Sequence, residues 1–520
     1  MSLTSPIRRN AQITKEAIAS THLGRVRTWP EFQDRVARLA AGIRGLGIQP
    51  GDRVAILANN SDRYLEYFFA VAWAGGVFVP VNTRLAPPEV EYWLSDSGSR
   101  VLFIDDDFLS YLPKLQGKMP TVETIVHVGD GTPPDGLLAY EALVADNAAA
   151  DDAGRQGEDL AGLFYTGGTT GVSKGVMLSH RNLISNALHV IHEMDFHSEM
   201  TWLHSGPMFH LADGTATFGA TLVGGTHCFI PKFEPAAALE AIEANKVTNT
   251  LFVPTMMNMV VNHPDVETRD ISTLRGILYG ASPMPEAVVR KAVGLMPNVR
   301  FYHAYGQTEC SPLLTLLKPE YHDFDGPYAE TRAKSVGRAT IGVEIVILDE
   351  DDKPVPRGTV GEICAKGPNV MQGYWNKPDL TAKTIRDGWI HTGDGGFMDD
   401  DGYVYVVDRV KDMIISGGEN VYSAEVENAV YQHPAVVECA VIGVPDEKWG
   451  ERVHAIIRTH EGQSVTEQEI IDHCHALIAN YKCPRSVSFR TEPMPLSGAG
   501  KILKTELRKP YWEGKTKSVN

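Results

Sequence analysis

The alternation of strand-like and helix-like segments in the first hundred residues constrains the fold of this chain most strongly. Thr28 and Glu31 have the spacing of a helix capping box, and an amphipathic helix pattern follows them. The next segments in order are a strand at 54–57, a helix at 64–73, and strands at 77–79 and 101–104. Strands that alternate with helices predict β-α-β units around a largely parallel sheet.

The pattern changes after about residue 335. Short β-like runs at 343–348, 361–365 and 403–407 predict a β-rich subdomain that ends near Asp408. The remaining ~110 residues alternate helix and strand patterns, and that length suits a separate domain. We therefore predict an α/β fold with a large N-terminal domain of β-α-β units and a β-rich subdomain, and a small, mobile α+β C-terminal domain. The expected bounds are 1–408 for the first domain, 409–412 for a hinge and 413–520 for the second.

Charge and composition exclude several classes of function. The formal net charge of −17 argues against nucleic-acid binding, which needs a basic surface, although a local cationic cluster can still bind a small anion. No segment has the pattern of a signal peptide or the length of a membrane span, so we predict a cytoplasmic protein. The six cysteines are scattered without zinc spacing, which predicts free thiols.

Residues 165–175, Tyr-Thr-Gly-Gly-Thr-Thr-Gly-Val-Ser-Lys-Gly, form the most informative motif. Its glycines allow close approach of the backbone, its threonine hydroxyls can donate, and Lys174 adds a positive charge. Successive backbone N–H groups in such a loop form a concave phosphate site. It differs from a Walker A loop, because no Gly-Lys-Ser/Thr follows at the required spacing. Taken alone, the loop is equally consistent with a flexible turn between a strand and a helix.

Other motifs accompany this loop. In chain order they are Tyr305-Gly306-Gln307-Thr308-Glu309, His391-Thr392-Gly393-Asp394, Asp408-Arg409-Val410-Lys411-Asp412, Gly417-Gly418-Glu419-Asn420 and Gly500-Lys501-Ile502. Together with the loop they resemble the signature of the acyl-adenylate-forming superfamily, which includes acyl-CoA synthetases, firefly luciferases and peptide-synthetase adenylation domains. Two mild departures are Gly167, where the family usually has Ser, and Ser173, where it usually has Pro.

The resemblance implies an AMP-forming acid–CoA ligase, which activates a carboxylate with ATP and passes the acyl group to coenzyme A. It also implies the nucleotide-binding residues: Thr166, Gly167, Gly168, Thr169, Thr170, Gly171 and Lys174 at the phosphates, Gly280, Ala281, Ser282, His303, Ala304, Tyr305 and Gly306 around the adenine, and Asp394 and Arg409 at the ribose. Plant coumarate ligases of this family have Gln where His303 stands. The implied catalytic residues are Thr308, which donates to the α-phosphate, Glu309, which holds Mg²⁺ with Thr170, and Lys501, which bridges carboxylate and α-phosphate.

For the acyl and thiol substrates, the resemblance assigns His210, Tyr279 and Gly306 to the acyl pocket and Gly417, Gly418, Trp449 and Lys482 to coenzyme A, with Arg485 as an alternative to Lys482. Lys411 is the implied hinge residue. Tyr279 is bulkier than the alanine of chlorobenzoate ligases, which favours a narrow pocket. The expected substrate is a medium- to long-chain fatty acid or an aromatic, cinnamic-type acid.

Competing functions remain open from the sequence. An adenylating enzyme that loads an amino acid onto a carrier protein would have Asp where His210 stands. A luciferase-type oxygenase shares all the motifs, and an assay for light would distinguish it. A nucleotide-binding pseudoenzyme would need a broken catalytic set, whereas Glu309, Asp394, Arg409 and Lys501 are all present. The oligomeric state is also open, a homodimer included.

Overall fold

A computed structural model describes residues 1–166, 173–282, 284–409, 413–416, 419–446, 448–497 and 502–513, with the backbone alone described at residues 408, 409 and 420. The strands in chain order are β1 Ile18–His22, β2 Arg25–Thr28, β3 Arg53–Leu57, β4 Val77–Pro80, β5 Ser99–Ile104, β6 Thr124–His127, β7 Leu138–Ala139, β8 Leu160–Thr166, β9 Lys174–Ser179, β10 Thr201–His204, β11 Thr226–Phe229, β12 Asn249–Leu251, β13 Gly276–Gly280, β14 Arg300–Gly306, β15 Leu313–Leu317, β16 Arg338–Ala339, β17 Glu344–Leu348, β18 Gly361–Lys366, β19 Gly373–Tyr374, β20 Ile385–Arg386, β21 Trp389–Met398, β22 Val404–Arg409, β23 Ile414–Ser416, β24 Glu419–Val421, β25 Val436–Asp446, β26 Gly450–Thr459 and β27 Ser486–Arg490.

The α-helices connect these strands. They are α1 Ser5–Ile13, α2 Trp29–Gly45, α3 Asp62–Ala74, α4 Pro87–Ser97, α5 Leu112–Leu115, α6 Tyr140–Ala145, α7 His180–Met194, α8 Leu211–Val223, α9 Pro235–Ala244, α10 Pro254–Val261, α11 Glu286–Leu295, α12 Pro378–Thr384, α13 Ser423–Tyr431, α14 Glu467–His475 and α15 Lys504–Trp512. Among the described residues, no helix combines the length and apolar character that crossing a membrane requires.

Over the part of the chain that the structure describes, the strands form four sheets. A nine-stranded sheet has the order β16-β15-β14-β13-β12-β10-β11-β1-β2, and an eight-stranded sheet has the order β19-β9-β8-β4-β3-β5-β6-β7. Most central pairs in both sheets are parallel, as expected when helices connect successive strands. Strands β17, β18, β20, β21 and β22 form the β-rich subdomain, and β23 to β27 form the sheet of the C-terminal domain. The predicted fold class is therefore confirmed.

The N-terminal elements show why local sequence predicted so much. The side chain of Glu31 accepts from the backbone N–H of Thr28 at 2.8 Å, and Thr28 caps α2 in return, which is the predicted capping box. The predicted apolar face is buried, with Phe32 and Val36 both fully enclosed.

The cysteines all lie in the interior. Each of the six is a buried free thiol, as the sequence predicted. Burial raises the pKa of Cys228, Cys364 and Cys474 to about 12 in each case, so these thiols stay protonated at neutral pH.

Candidate functional site

The site begins where the parallel strands β13 and β14 end side by side. Gly280 lies opposite Ala304 in the register of the two strands. A Cβ on Gly280 would stand 2.1 Å from the carbonyl oxygen of Ala304, and one on Gly306 would stand 1.8 Å from that of Pro312. Both glycines also have positive φ, at 151° and 159°. Close backbone packing at this edge therefore requires glycine at both positions, whatever binds there.

Tyr305 and Asp394 meet at this edge from two different sheets. The Tyr305 hydroxyl donates to Oδ2 of Asp394 at 2.8 Å. Burial, together with the Asp394 carboxylate, raises the pKa of Tyr305, so the phenol keeps its proton and acts as the donor. Asp394 in turn lies opposite Arg409 in the β21–β22 ladder, which brings two separate motifs to one place.

Tyr374 connects the end of the glycine-rich motif with Glu309. Lys174 opens β9 opposite Thr166 and lies with Nζ 4.6 Å from the centre of the Tyr374 ring. The Tyr374 hydroxyl donates to Oε1 of the buried Glu309 at 2.8 Å. Burial, reinforced by the Glu309 charge, raises the pKa of Tyr374 and keeps it a donor.

Thr308 and Glu309 lie in a short turn, residues 308–310, that directly follows β14. Both are buried. The carbonyl oxygen of Glu309 accepts from the backbone N–H of Met371 at 2.9 Å, so the segment that precedes β19 fixes this turn. Glu309 is thus held at two points, through its backbone carbonyl by Met371 and through its carboxylate by Tyr374.

A stack of aromatic rings lies next to the strand edge. The rings of Tyr279 and His303 are parallel to within 10°, with centroids 4.6 Å apart. The Tyr279 hydroxyl donates to Nε2 of His322 at 2.9 Å, since Nδ1 of His322 faces the Lys318 carbonyl. Burial lowers the pKa of His303 to about 3, so its ring is neutral at physiological pH. Tyr279 is 3% exposed and packs as a core residue, and its place in an acyl pocket stays a prediction.

His210 ends the loop between β10 and α8. It is the N-cap residue of α8, and its Nδ1 accepts from the backbone N–H of Ala212 at 3.2 Å. Its own backbone N–H donates to Pro207. The ring is therefore fixed by the start of the helix.

In the C-terminal domain, Trp449 lies beside two cations. Nζ of Lys448 is 4.8 Å and the guanidinium carbon of Arg485 is 4.4 Å from the centre of the Trp449 ring. Lys482 instead donates to both carboxylate oxygens of Glu425, at 2.7 and 2.8 Å. The structure thus brings Arg485, and not Lys482, onto the Trp449 ring.

Two described residues flank positions 498–501, which lie outside the described ranges. Before them, the carbonyl oxygen of Ser497 accepts from Arg84 of the N-terminal domain at 2.6 Å. After them, Lys504 contacts Ser423 at 2.6 Å and the carboxylate of Glu427 at 2.7 Å. Lys504 therefore joins the start of α15 to α13 within the C-terminal domain.

One cluster in the β-rich subdomain has metal-ligand chemistry. Glu362, Cys364 and His391 bring their ligand atoms within 4.8 Å of one another. The guanidinium of Arg386 lies 2.5 Å from Nδ1 of His391. A positively charged side chain therefore lies beside the cluster, where a metal ion would otherwise supply the positive charge. Oε1 of Glu362 accepts from the backbone N–H of Gly393 at 2.9 Å, and the cluster thereby holds the turn before Asp394.

With this geometry in place, comparison with known proteins identifies the chain. A model of the family described as AMP-binding enzyme matches residues 7–375, and a model described as AMP-binding enzyme C-terminal domain matches residues 425–501. The chain belongs to the AMP-binding enzyme family. Its relatives are named CoA ligases and synthetases, and the chain is an AMP-forming acid–thiol ligase.

Three members of the AMP-binding enzyme family show how close the similarity is. The chain is 39% identical over 511 residues to a feruloyl-CoA synthase from Amycolatopsis sp, covering 97% of this chain and 98% of the relative. It is 36% identical to a fatty acid–[acyl-carrier-protein] ligase, ScoC, from Streptomyces coeruleorubidus, covering 96% and 94% of the two chains. The crystal structure of the anthranilate CoA ligase AuaEII in complex with anthranoyl-AMP superimposes with a TM-score of 0.91 at 27% identity, covering 98% of this chain and 97% of that one.

Within this AMP-binding enzyme, the structure brings together several residues that the sequence selected. Lys174 and Glu309 both contact Tyr374, while Thr166 lies opposite Lys174 in the β8–β9 pair and Thr308 precedes Glu309 in the same turn. Tyr305, Asp394 and the backbone of Arg409 meet at the strand edge. Other predicted residues lie outside the described residues: Gly167, Gly168, Thr169, Thr170, Gly171, Lys411, Gly417, Gly418 and Lys501. Trp449 and Lys482 contact different partners in the C-terminal domain.

Sequence reasoning missed Tyr374, which contacts both Lys174 and Glu309. Tyr374 lies 65 residues from Glu309 and in none of the recognised motifs. No local signal marks it, because only the pairing of β19 with β9 brings it to the site.

Proposed function

We propose that this enzyme is an aryl acid–CoA ligase that acts on an aromatic, cinnamic-type acid. In the first step a carboxylate oxygen attacks the α-phosphorus of ATP and pyrophosphate leaves, which gives an acyl-adenylate. In the second step the sulfur of coenzyme A attacks the acyl carbon and AMP leaves. The convergence of Lys174, Glu309 and Asp394 on one strand edge carries the proposal, because adenylation requires cationic, carboxylate and ribose-binding groups around one nucleotide.

Each group at the edge has a distinct proposed task. The segment from Thr166 to Lys174 holds the β- and γ-phosphates, and Thr308 donates to the α-phosphate. Asp394 accepts from the ribose hydroxyls while the Tyr305 ring lies against the adenine. The bond from Tyr305 to Asp394 then orders both groups before ATP arrives, which lowers the cost of binding.

Mg²⁺ is the cofactor that this chemistry implies. Glu309 fits it, because its buried carboxylate offers hard oxygen ligands and is oriented by the hydroxyl of Tyr374, which donates to Oε1. When bound, Mg²⁺ would neutralise charge on the triphosphate, with Glu309 and Thr170 as its protein ligands.

Coenzyme A as the acyl acceptor is supported by Trp449 and Arg485. An exposed guanidinium that stacks on an indole ring presents both a flat surface and a positive charge, which suit a nucleotide and its phosphates. Gly417 and Gly418 would line the path of the pantetheine arm. Rotation of the C-terminal domain about residues 409–412, with Lys411 as the pivot, would move Lys501 away from the strand edge after the first step. The same rotation would bring the Trp449 and Arg485 surface to that edge for the second step.

The aromatic class of acid is supported by two observations. The 39% identical relative is named a feruloyl-CoA synthase, and the anthranilate CoA ligase shares the fold over nearly the whole chain. His210 and Gly306 are the proposed pocket residues next to the carboxylate. The bulk of Tyr279, close to this edge, favours a flat ring over a branched acid.

The test is a panel of acids assayed for AMP release and for thioester by mass spectrometry. The panel contains ferulate, anthranilate, and medium- and long-chain fatty acids, each with and without coenzyme A. We expect kcat/KM for ferulate to exceed that for the fatty acids by about tenfold or more, since each methylene mismatch is worth ~1–3 kcal/mol. A preference for fatty acids of the same size would overturn the aromatic assignment.

Transfer to a carrier protein is the second candidate function, and the similarity to ScoC favours it. Each reaction is therefore repeated with a phosphopantetheinylated acyl carrier protein in place of coenzyme A. If a thioester forms only on the carrier protein, the carrier protein and not coenzyme A is the acyl acceptor. The proposed adenylation step is the same in both cases.

A further inference from the structure

Asn60 lies between β3 of one large sheet and α3, and its side chain contacts a loop of the other large sheet. Its Nδ2 donates to the carbonyl oxygens of His204 at 3.2 Å and Gly206 at 2.7 Å. Its Oδ1 accepts from the backbone N–H of Met208 at 2.8 Å. Asn60 is 5% exposed, so these three bonds form in the protein interior.

The chemistry of these contacts requires a primary amide. Two carbonyl oxygens need donors and one N–H group needs an acceptor, and asparagine is the shortest side chain that supplies all three. The partners also fix the orientation of the amide. Aspartate has the same shape but would turn an oxygen towards two carbonyl oxygens.

The same loop is restrained from its other side. Nδ1 of His204 pairs with Oδ2 of the buried Asp213 at 2.5 Å, and its Nε2 faces Nδ1 of His227 at 2.8 Å. At the far end, the backbone N–H of His210 donates to the Pro207 carbonyl at 2.9 Å. The His204 side chain thus holds the start of the loop, and Asn60 bonds to its backbone at residues 204, 206 and 208.

We propose that Asn60 is a positioning residue for the acid substrate, because it sets the path of the loop that ends at His210. It acts through the backbone of residues 204–208 and touches no substrate itself. The inference rests on the proposed function, in which His210 stands beside the acid. A residue with this role affects where the acid lies but not how ATP is held at the strand edge.

The test compares Asn60→Asp with Asn59→Asp. Asn59 is adjacent in sequence, but its Nδ2 bonds to the surface residue Asp107, so it controls for the added charge and for the neighbouring backbone. In Asn60→Asp we expect KM for the acid to rise by about tenfold, which corresponds to the free energy of about one lost hydrogen bond. KM for ATP should change by less than about twofold. In Asn59→Asp both constants should stay within about twofold of the wild-type values.

Two outcomes overturn the inference: an unchanged KM for the acid in Asn60→Asp, or an equal rise in KM for the acid and for ATP. If Asn60→Asp does not fold, Asn60→Ser, which keeps one donor and one acceptor, replaces it in the same comparison. His210→Ala separates this inference from the proposed function. A changed KM for the acid in His210→Ala, with none in Asn60→Asp, defeats the positioning role alone, whereas no change in either defeats the placement of the acyl site.

Discussion

The strand edge that carries Glu309 and Asp394 differs from the C-terminal surface that carries Trp449 and Lys482 in how its charges are held. Glu309 and Asp394 are 8% and 9% exposed and accept from the phenol hydroxyls of Tyr374 and Tyr305. The side chains of Lys482 and its partner Glu425 are 21% and 38% exposed. Electrostatic interactions weaken with solvent access, so the two regions are suited to different tasks.

This difference has a kinetic meaning. Groups that are fixed and shielded before the reaction stabilise charge in the transition state, which raises kcat. Partly exposed cations contribute modest binding energy, which lowers KM. We therefore expect substitutions at the strand edge to act on adenylation and substitutions at the C-terminal surface to act on the affinity for coenzyme A.

Lys501 gives the strongest test of this difference between the two regions, because it belongs to the C-terminal domain but is proposed to act at the strand edge. Lys501→Ala should lower kcat for acyl-AMP formation by on the order of 10²-fold, the effect of one preorganised electrostatic donor. KM for ATP should change much less. Pyrophosphate exchange measures the step, and Lys509→Ala is the control, since Lys509 is exposed and pairs with Glu506, three residues before it in α15. Exchange near the wild-type rate in Lys501→Ala would refute the role.

Tyr374→Phe tests the buried side of the comparison. It removes the hydroxyl that donates to Glu309 and keeps the ring under Lys174. We expect kcat for adenylation to fall by about tenfold or more, because a hydrogen bond to a charged group is worth ~1.5–3 kcal/mol. Tyr405→Phe, which removes a hydroxyl bonded to Asp399 elsewhere, is the control. A loss seen only in thioester formation would contradict the placement of Tyr374 at the nucleotide.

Arg485→Met and Lys482→Met test the exposed side. Each should raise KM for coenzyme A by about threefold, because cation–π and ion-pair contacts at exposed sites are worth ~0.5–1 kcal/mol. Acyl-AMP formation should be unchanged. Initial rates with coenzyme A varied at saturating ATP and acid give the constants. A larger effect for Arg485 than for Lys482 would agree with the stacking of Arg485 on Trp449, and equal loss of both half-reactions would count against this surface.

The sequence predicted those parts of the molecule whose causes are local. Thr28 and Glu31 form their capping box three residues apart, and α2, β3, α3, β4 and β5 lie where periodicity placed them. The contacts of Tyr374 and Asn60 were not predicted, because they join residues 65 and 148 positions apart. Such pairings depend on which strands meet in a sheet, and no single segment encodes that.

The same reasoning applies to Lys482. The family resemblance suggested Lys482 or Arg485 as a phosphate ligand, but the sequence could not show that Glu425 binds Lys482. Arg485, three residues further, lies on the Trp449 ring. Which of two neighbouring cations contacts Trp449 depends on the three-dimensional arrangement, and a role in coenzyme A binding stays a prediction for both.

The burial of all six cysteines makes the protein convenient for site-specific labelling. A maleimide reacts with the thiolate of an accessible cysteine, and the native thiols are neither accessible nor readily ionised. Leu188 in the N-terminal domain and Leu477 in the C-terminal domain are 41% and 45% exposed. Cysteines introduced at these two positions would react with fluorophore maleimides, while the native cysteines would stay unlabelled. Energy transfer between these two positions would then follow the domains through each turnover, with no native cysteine replaced.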